Sequence, residues 1–154
     1  MSETKFLTRE GYEKLCQELV YLRTEKRAEI AEHIRIAKED GDVSENAGYE
    51  SAKLEQSFVE GRIQTLEEIL KHAQIIEYDG NADAVVLGTT VIVQEGSYEP
   101  ETFLIVGSAE ANPSEGRISN ASPLGRALLG RRVGDVVDVN TPGGVSSFEI
   151  IEIR

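Results

Sequence analysis

Apolar side chains recur at steps of three and four through the first half of the chain. Leu15, Leu19 and Leu22 form one such run, and Ile30, Ile34 and Ala37 another. That spacing lines one face of an α-helix. Residues 8 to about 40 hold no proline and a single glycine, Gly11, and Thr8 is suited to cap the helix at its start. A second helical stretch is predicted from about Val43 to Ala73. Folding the chain back at Val43–Ser44 sets Ala37 opposite Ser51, Ile34 opposite Leu54 and Ile30 opposite Phe58. Further down, Leu22 faces Leu66, Leu19 faces Ile69 and Leu15 faces Ala73. The result is the seam of an antiparallel coiled coil. Lys26 facing Arg62 interrupts it midway, and the small residues Ala37, Ala47 and Ser51 let the helices approach near the turn. At about 1.5 Å per residue each helix would reach roughly 45–50 Å, too long for a small globular core.

Beyond Tyr78-Asp79-Gly80-Asn81 the period drops to two. Strands are predicted over Ala84–Gln94, Thr102–Val106, Gly134–Asn140 and Ser147–Ile153, separated by Gly, Pro and Asn. Between them Ser122 to Gly130 reads as one short helix, with Ser122 at the N-cap, Pro123 at the first position and Gly130 as the stop. Pro142-Gly143-Gly144 is suited to turn the last two strands into a hairpin. The predicted fold is α+β: an N-terminal antiparallel helical hairpin over residues 1–76, then a small antiparallel-sheet domain with one short helix over residues 77–154.

Charge sharpens that division. Residues 1–76 carry 11 Lys+Arg against 16 Asp+Glu, a net of −5, whereas residues 77–154 carry 5 against 12, a net of −7, with no lysine. The overall charge of −12 argues against a non-specific binder of DNA or anionic lipid, which needs a basic face. Absence of tryptophan and few aromatics disfavour base-stacking platforms. The longest apolar runs, such as Ala84-Val85-Val86-Leu87, fall far short of the roughly 20 residues that cross a bilayer. The segment Met1-Ser2-Glu3-Thr4-Lys5 lacks the basic and apolar regions of a signal peptide. Cys16 is alone, which fits a reducing compartment, and a cytoplasmic location without a membrane partner is expected.

The candidate chemistry lies where the two helical stretches meet, at Glu39-Asp40-Gly41-Asp42-Val43-Ser44-Glu45-Asn46. Asp42 and Glu45 are three residues apart, side by side where a helix begins. Two readings stand. They match a capping box, in which the first residue caps the helix, the fourth reaches back, and both favour the helix dipole. Alternatively they present carboxylates outward to a divalent metal. Mg²⁺ takes one or two protein carboxylates and leaves its other positions to water and phosphate, so two acids at an exposed end would complete a site whose remaining ligands belong to a partner.

Gly41-Asp42-Val43-Ser44-Glu45-Asn46-Ala47-Gly48-Tyr49 resembles the tip signature of the Gre transcript cleavage factors of bacterial RNA polymerase. Glu60-Gly61-Arg62-Ile63, Asn120 to Gly130 and Thr141-Pro142-Gly143-Gly144 are similar too, in the family's order across nearly the whole chain. The Pro-Gly-Gly turn and the acidic balance look like the more acidic of the family's two main branches. The resemblance implies a coiled coil that enters the polymerase secondary channel and an FKBP-like domain that binds the polymerase. It implies that Asp42 and Glu45 help to hold the second Mg²⁺ of the polymerase site and activate the attacking water. Backtracked nascent RNA is then cleaved by the polymerase itself and elongation resumes. The chain would be no enzyme, would hold no stable cofactor of its own, and would act as a monomer that meets DNA only through the polymerase complex. Gly48 departs from the family, where an acid is common.

By the same resemblance, Arg35, Lys38 and Lys53 form a basic patch near the tip that touches the nascent RNA 3′ segment, for which phosphate contact is the physical ground. Read as residues alone they are ordinary solvated helix charge. Ser122 and Pro123 read first as a helix start and, by resemblance, as part of the polymerase-gripping surface. Tyr49 reads as packing, Cys16 as a small core residue between the helix bases, and His33 and His72 as isolated. Two further functions stay open: a channel-binding inhibitor of polymerase without cleavage stimulation, and a peptidyl-prolyl isomerase, which rests on fold alone.

Overall fold

A computed structural model describes residues 4–39, 46–78, 80 and 82–154. Helix α1 (Arg9–Tyr21), a π-helical turn (Leu22–Lys26) and α2 (Arg27–Glu39) follow one another without a break and form the first arm of a hairpin. Helix α3 (Ala47–Lys71) is the second arm. Its 25 residues span about 37 Å. By internal contacts the chain divides into two units, Tyr12–His72 and Met1–Gly11 with Ala73–Arg154.

The hairpin unit closes on Leu15, Leu19, Leu22, Ile30 and Ala37 from the first arm, against Ala52, Val59, Ile63 and Leu66 from the second. At Leu22 and Leu66 the seam is as the sequence predicts, both being buried. The half nearer the turn is not. Leu54 and Phe58 are 58% and 70% exposed, and their places are taken by Ala52 and Val59. Ile30 and Val59 line one cleft with Arg27, Gln56 and Glu60.

The π turn supplies the reason. Leu22 to Ile30 is a step of eight, one more than two turns of a coiled coil. At about 100° per residue a plain α-helix would swing Ile30 about 80° off the seam. A π turn, closed by Arg27 N–H donating to the Leu22 carbonyl, absorbs the extra residue. The pairing beyond it therefore shifts by one position. Lys26, expected to face Arg62 as an interruption, instead meets Glu55 at 2.8 Å and Glu29 at 3.6 Å, while Arg62 meets Glu18 at 2.8 Å. Arg23–Glu67 and Arg27–Glu60 add two more bridges between the arms at 2.7 and 2.8 Å.

The second unit begins with a strand that the helical reading overlooked. β1 (Lys5–Thr8) pairs in parallel with β2 (Ala73–Ile76), so Ala73 is in a strand rather than opposite Leu15. Thr8 caps α1, its hydroxyl accepting from Gly11 N–H at 3.0 Å. Glu110 accepts in turn from the Thr8 N–H and hydroxyl, both at 2.7 Å. A Cβ at position 11 would stand 2.1 Å from the Glu110 carboxylate, which accounts for the one glycine of this stretch.

A five-stranded sheet follows in the order β5-β4-β3-β7-β6, built from β3 (Thr90–Glu95), β4 (Glu101–Val106), β5 (Arg117–Ser119), β6 (Val136–Thr141) and β7 (Gly144–Ile153). All neighbours are antiparallel except β4 and β5, whose short strand the sequence reading missed. The first predicted strand begins later than expected, Ala84 making only an isolated bridge to Arg132. Alternation puts Val91 and Val93, Val137 and Val139, and Phe148 and Ile150 on one face, where Leu128 of α4 (Pro123–Leu128) joins the core. Thr141 pairs with Gly144 at the predicted β6–β7 turn. No described helix is long and apolar enough to cross a membrane.

Candidate functional site

Asn46, rather than Asp42, caps α3. Its side-chain oxygen accepts from Tyr49 N–H at 3.1 Å, and its amide donates to the Ala37 carbonyl in the last turn of α2. One side chain thus satisfies an orphan donor of one helix and an orphan acceptor of the other. Helix α3 starts at Ala47, four residues later than the sequence suggested. The capping position that Asp42 was weighed for belongs to Asn46. Asp42 and Glu45 themselves lie outside the described residues, between α2 and α3 in sequence.

Gly48 stands in the first turn of α3, exposed, where an added Cβ would come 3.2 Å from the Asn46 side-chain oxygen. Its smallness relieves the cap. Tyr49 is half-buried beside it. Of the proposed basic patch, Arg35 is held by two acids of its own helix, Glu32 and Glu39. Its pKa is raised and that of Glu32 lowered, in each case first by their mutual hydrogen bond. Lys53 donates to Gln56 at 2.9 Å, and Lys38 is exposed. His33 lies 3.8 Å from Glu55, and His72 is 3.1 Å from Glu68. Cys16 is half-buried on a shallow surface with Val20, Tyr21 and Thr24, outside the seam core expected for it.

The second candidate surface is the start of α4. Ser122 is its N-cap, accepting from Gly125 N–H at 3.0 Å and donating to the Ser119 carbonyl at 2.7 Å. Gly125 packs so closely that a Cβ would stand 2.0 Å from the Ser119 carbonyl oxygen. The hydroxyl of Ser122 is therefore committed to holding the turn, and the group it leaves facing solvent is Pro123. Sequence reasoning missed Asn46, Glu110 and Gly125. Asn46 carried a signal, being a favoured capping residue just ahead of a helical run, but it competed with Asp42 and Glu45.

Two family models match the chain, "Transcription elongation factor, N-terminal" over residues 5–75 and "Transcription elongation factor, GreA/GreB, C-term" over residues 80–154. This chain belongs to the GreA/GreB transcription elongation factor family. The transcription elongation factor GreA of Thermoanaerobacter pseudethanolicus is 53% identical over 100% of this chain and 99% of its own length. The transcription elongation factor GreA of Bacillus subtilis is 52% identical over 96% of this chain and 94% of its own. Among solved structures, GreA factor homolog 1 (Gfh1) of Thermus thermophilus is 38% identical, covers 99% of each chain and superposes with a TM-score of 0.46.

Proposed function

We propose that this family member binds bacterial RNA polymerase, enters its secondary channel with the turn of the hairpin, and stimulates the polymerase to cleave its own backtracked transcript. The observation that carries this reading is the Asn46 cap. With Asn46 starting α3 and tying it to the end of α2, the helix does not call on Asp42 as its N-cap. On this reading Asp42 and Glu45 are offered to chemistry supplied by a partner, and membership of an elongation factor family supports a transcribing polymerase as that partner.

Asp42 and Glu45 would share the second Mg²⁺ of the polymerase site. Oxygen donors suit that ion, and two are too few to hold it without a partner's ligands. When bound there, the ion stabilises charge on the attacking and leaving oxygens of the phosphodiester. The protein's own part is to deliver and aim two carboxylates, and Arg35, Lys38 and Lys53 are proposed to meet the nascent RNA 3′ segment. On this reading the chain is a cytoplasmic monomer and not itself an enzyme. The relatives' elongation-factor names favour stimulation over the inhibitor alternative. A cleavage assay on backtracked complexes separates the two by sign. Added protein should speed release of the 3′ RNA fragment, and slower release would overturn the proposal.

A further inference from the structure

Helix α3 has a second face, turned away from the first arm. Ala47, Ser51, Leu54, Phe58, Gly61 and Thr65 follow one another at steps of four and three, the spacing of a coiled-coil seam. At about 100° per residue this row lies roughly 140° round the helix from the buried Ala52, Val59, Ile63 and Leu66. All six residues of the row are exposed, Leu54 and Phe58 by more than half. No charge of α3 falls on the row until Glu68 ends it.

Gly61 is the residue that the hairpin itself does not explain. Glycine is a poor helix former, and Gly11 and Gly125 are small because a neighbouring group fills the space. A Cβ at Gly61 would meet nothing within 4 Å, so the space it leaves faces outward. The hydroxyls of this region are also ready to be covered. Thr65 donates to the Gly61 carbonyl at 3.0 Å, and Ser57, beside the row, donates to the Lys53 carbonyl at 3.2 Å. Both keep those partners when water is excluded, so burial orphans neither donor.

The row matches itself when reversed. Laid antiparallel on its own copy with Phe58 over Gly61, it sets Leu54 over Thr65, large on small at each step. The same alignment brings Glu50 of one copy to Lys71 of the other along one flank. Both are exposed, and among the described residues neither has an ion pair. Along the other flank Glu55 meets Arg62, in addition to the bridges these make to Lys26 and Glu18 in their own hairpin. We propose that this face pairs two copies of the chain about a two-fold axis, with Phe58 of each seated over Gly61 of the other. One alignment matches both size and charge, which a self-complementary face requires and an unrelated helix does not. Two large apolar side chains per copy make a small interface, so the dimer forms only at high concentration. The pairing belongs to the chain on its own. The monomer of the function proposed above is the form at work on polymerase, and that function does not depend on the pairing.

The test is sedimentation equilibrium of the full chain in a concentration series reaching the millimolar range. The average mass should climb from that of one chain toward that of two. Gly61→Gln fills open space in the free chain, so its melting midpoint should equal or exceed that of the unaltered chain, while its dimer weakens about tenfold or more. Phe58→Glu should weaken the dimer as much with helical content unchanged. Glu50→Lys should weaken it too, and Glu50→Lys with Lys71→Glu should restore it. A single mass at every concentration overturns the proposal, as does a dimer indifferent to Gly61→Gln and Phe58→Glu. A charge swap that fails to restore the dimer overturns the antiparallel alignment. A chain that stays single while Phe58→Glu loses affinity for core RNA polymerase would give the face to polymerase and overturn the second copy as its occupant.

Discussion

At the scale of single residues, Asn46 does two jobs with one amide. Replacing it with alanine removes the cap of α3 and the bond to the Ala37 carbonyl together. A lost asparagine cap costs about 1 kcal/mol, and the orphaned carbonyl adds to that. Asn46→Asp keeps an acceptor for Tyr49 N–H but has no donor for Ala37. Thermal melting should therefore rank the unaltered chain above Asn46→Asp, and Asn46→Asp above Asn46→Ala. An alanine variant as stable as the unaltered chain would show that the cap is idle. Gly11 and Gly125 make the complementary point, since each is small because another group, the Glu110 carboxylate or the Ser119 carbonyl, occupies the space a side chain would need.

At the scale of elements, the π turn keeps two halves of one seam in phase. Deleting Thr24 should convert Leu22 to Ile30 into an ordinary heptad step and leave a folded hairpin with a melting midpoint close to the original. Deleting Glu32, beyond the turn, should throw Ala37 off the seam and lower the midpoint clearly. Equal damage from both deletions would contradict the phase argument. The bridges between the arms add a pH dependence. Glu55 and Glu60 are held below the ordinary carboxylate value of 4.5, first by hydrogen bonds from Lys26 and Arg27 respectively. A depressed carboxylate gives stability that is present above its unfolded value and lost as pH falls through its folded one. The hairpin's melting midpoint should hold near neutrality and decline below about pH 4.5, most gently at high salt, where exposed pairs are already screened. A midpoint that rises on acidification would reverse the sign.

The hairpin, the period-two half, the Ser122 cap and the β6–β7 turn were legible because each is written in local spacing. The tip-side pairing was not. Apolar Leu54 and Phe58 fit a plain helical seam, and only the extra residue between Leu22 and Ile30 hints that the phase changes. The β1–β2 pair and the Glu110 anchor depend on residues distant in sequence, which no local pattern records. The Asn46 cap was overlooked because Asp42, which matches the same preference, was weighed in its place. The roles proposed for Arg35, Lys38 and Lys53 rest on resemblance, since as residues alone they read as ordinary solvated helix charge, whereas the spacing of Asp42 and Glu45 left a capping and a metal reading both open.

At the scale of the whole molecule, the account joins two units with different tasks. One is a two-helix arm stitched by ion pairs, and the other is a small sheet domain with an exposed proline. Neither contains a described constellation for catalysis, and family membership points both toward a larger machine. Its central claim is that Asp42 and Glu45 act inside that machine. The direct measurement is transcript cleavage in backtracked polymerase complexes, saturated either with the unaltered chain or with the Asp42→Asn, Glu45→Gln variant. The unaltered chain should accelerate cleavage in a Mg²⁺-dependent way. The variant should bind with similar affinity, displace the unaltered chain in competition and leave cleavage at its basal rate. A variant that accelerates cleavage as well as the unaltered chain does would contradict the account.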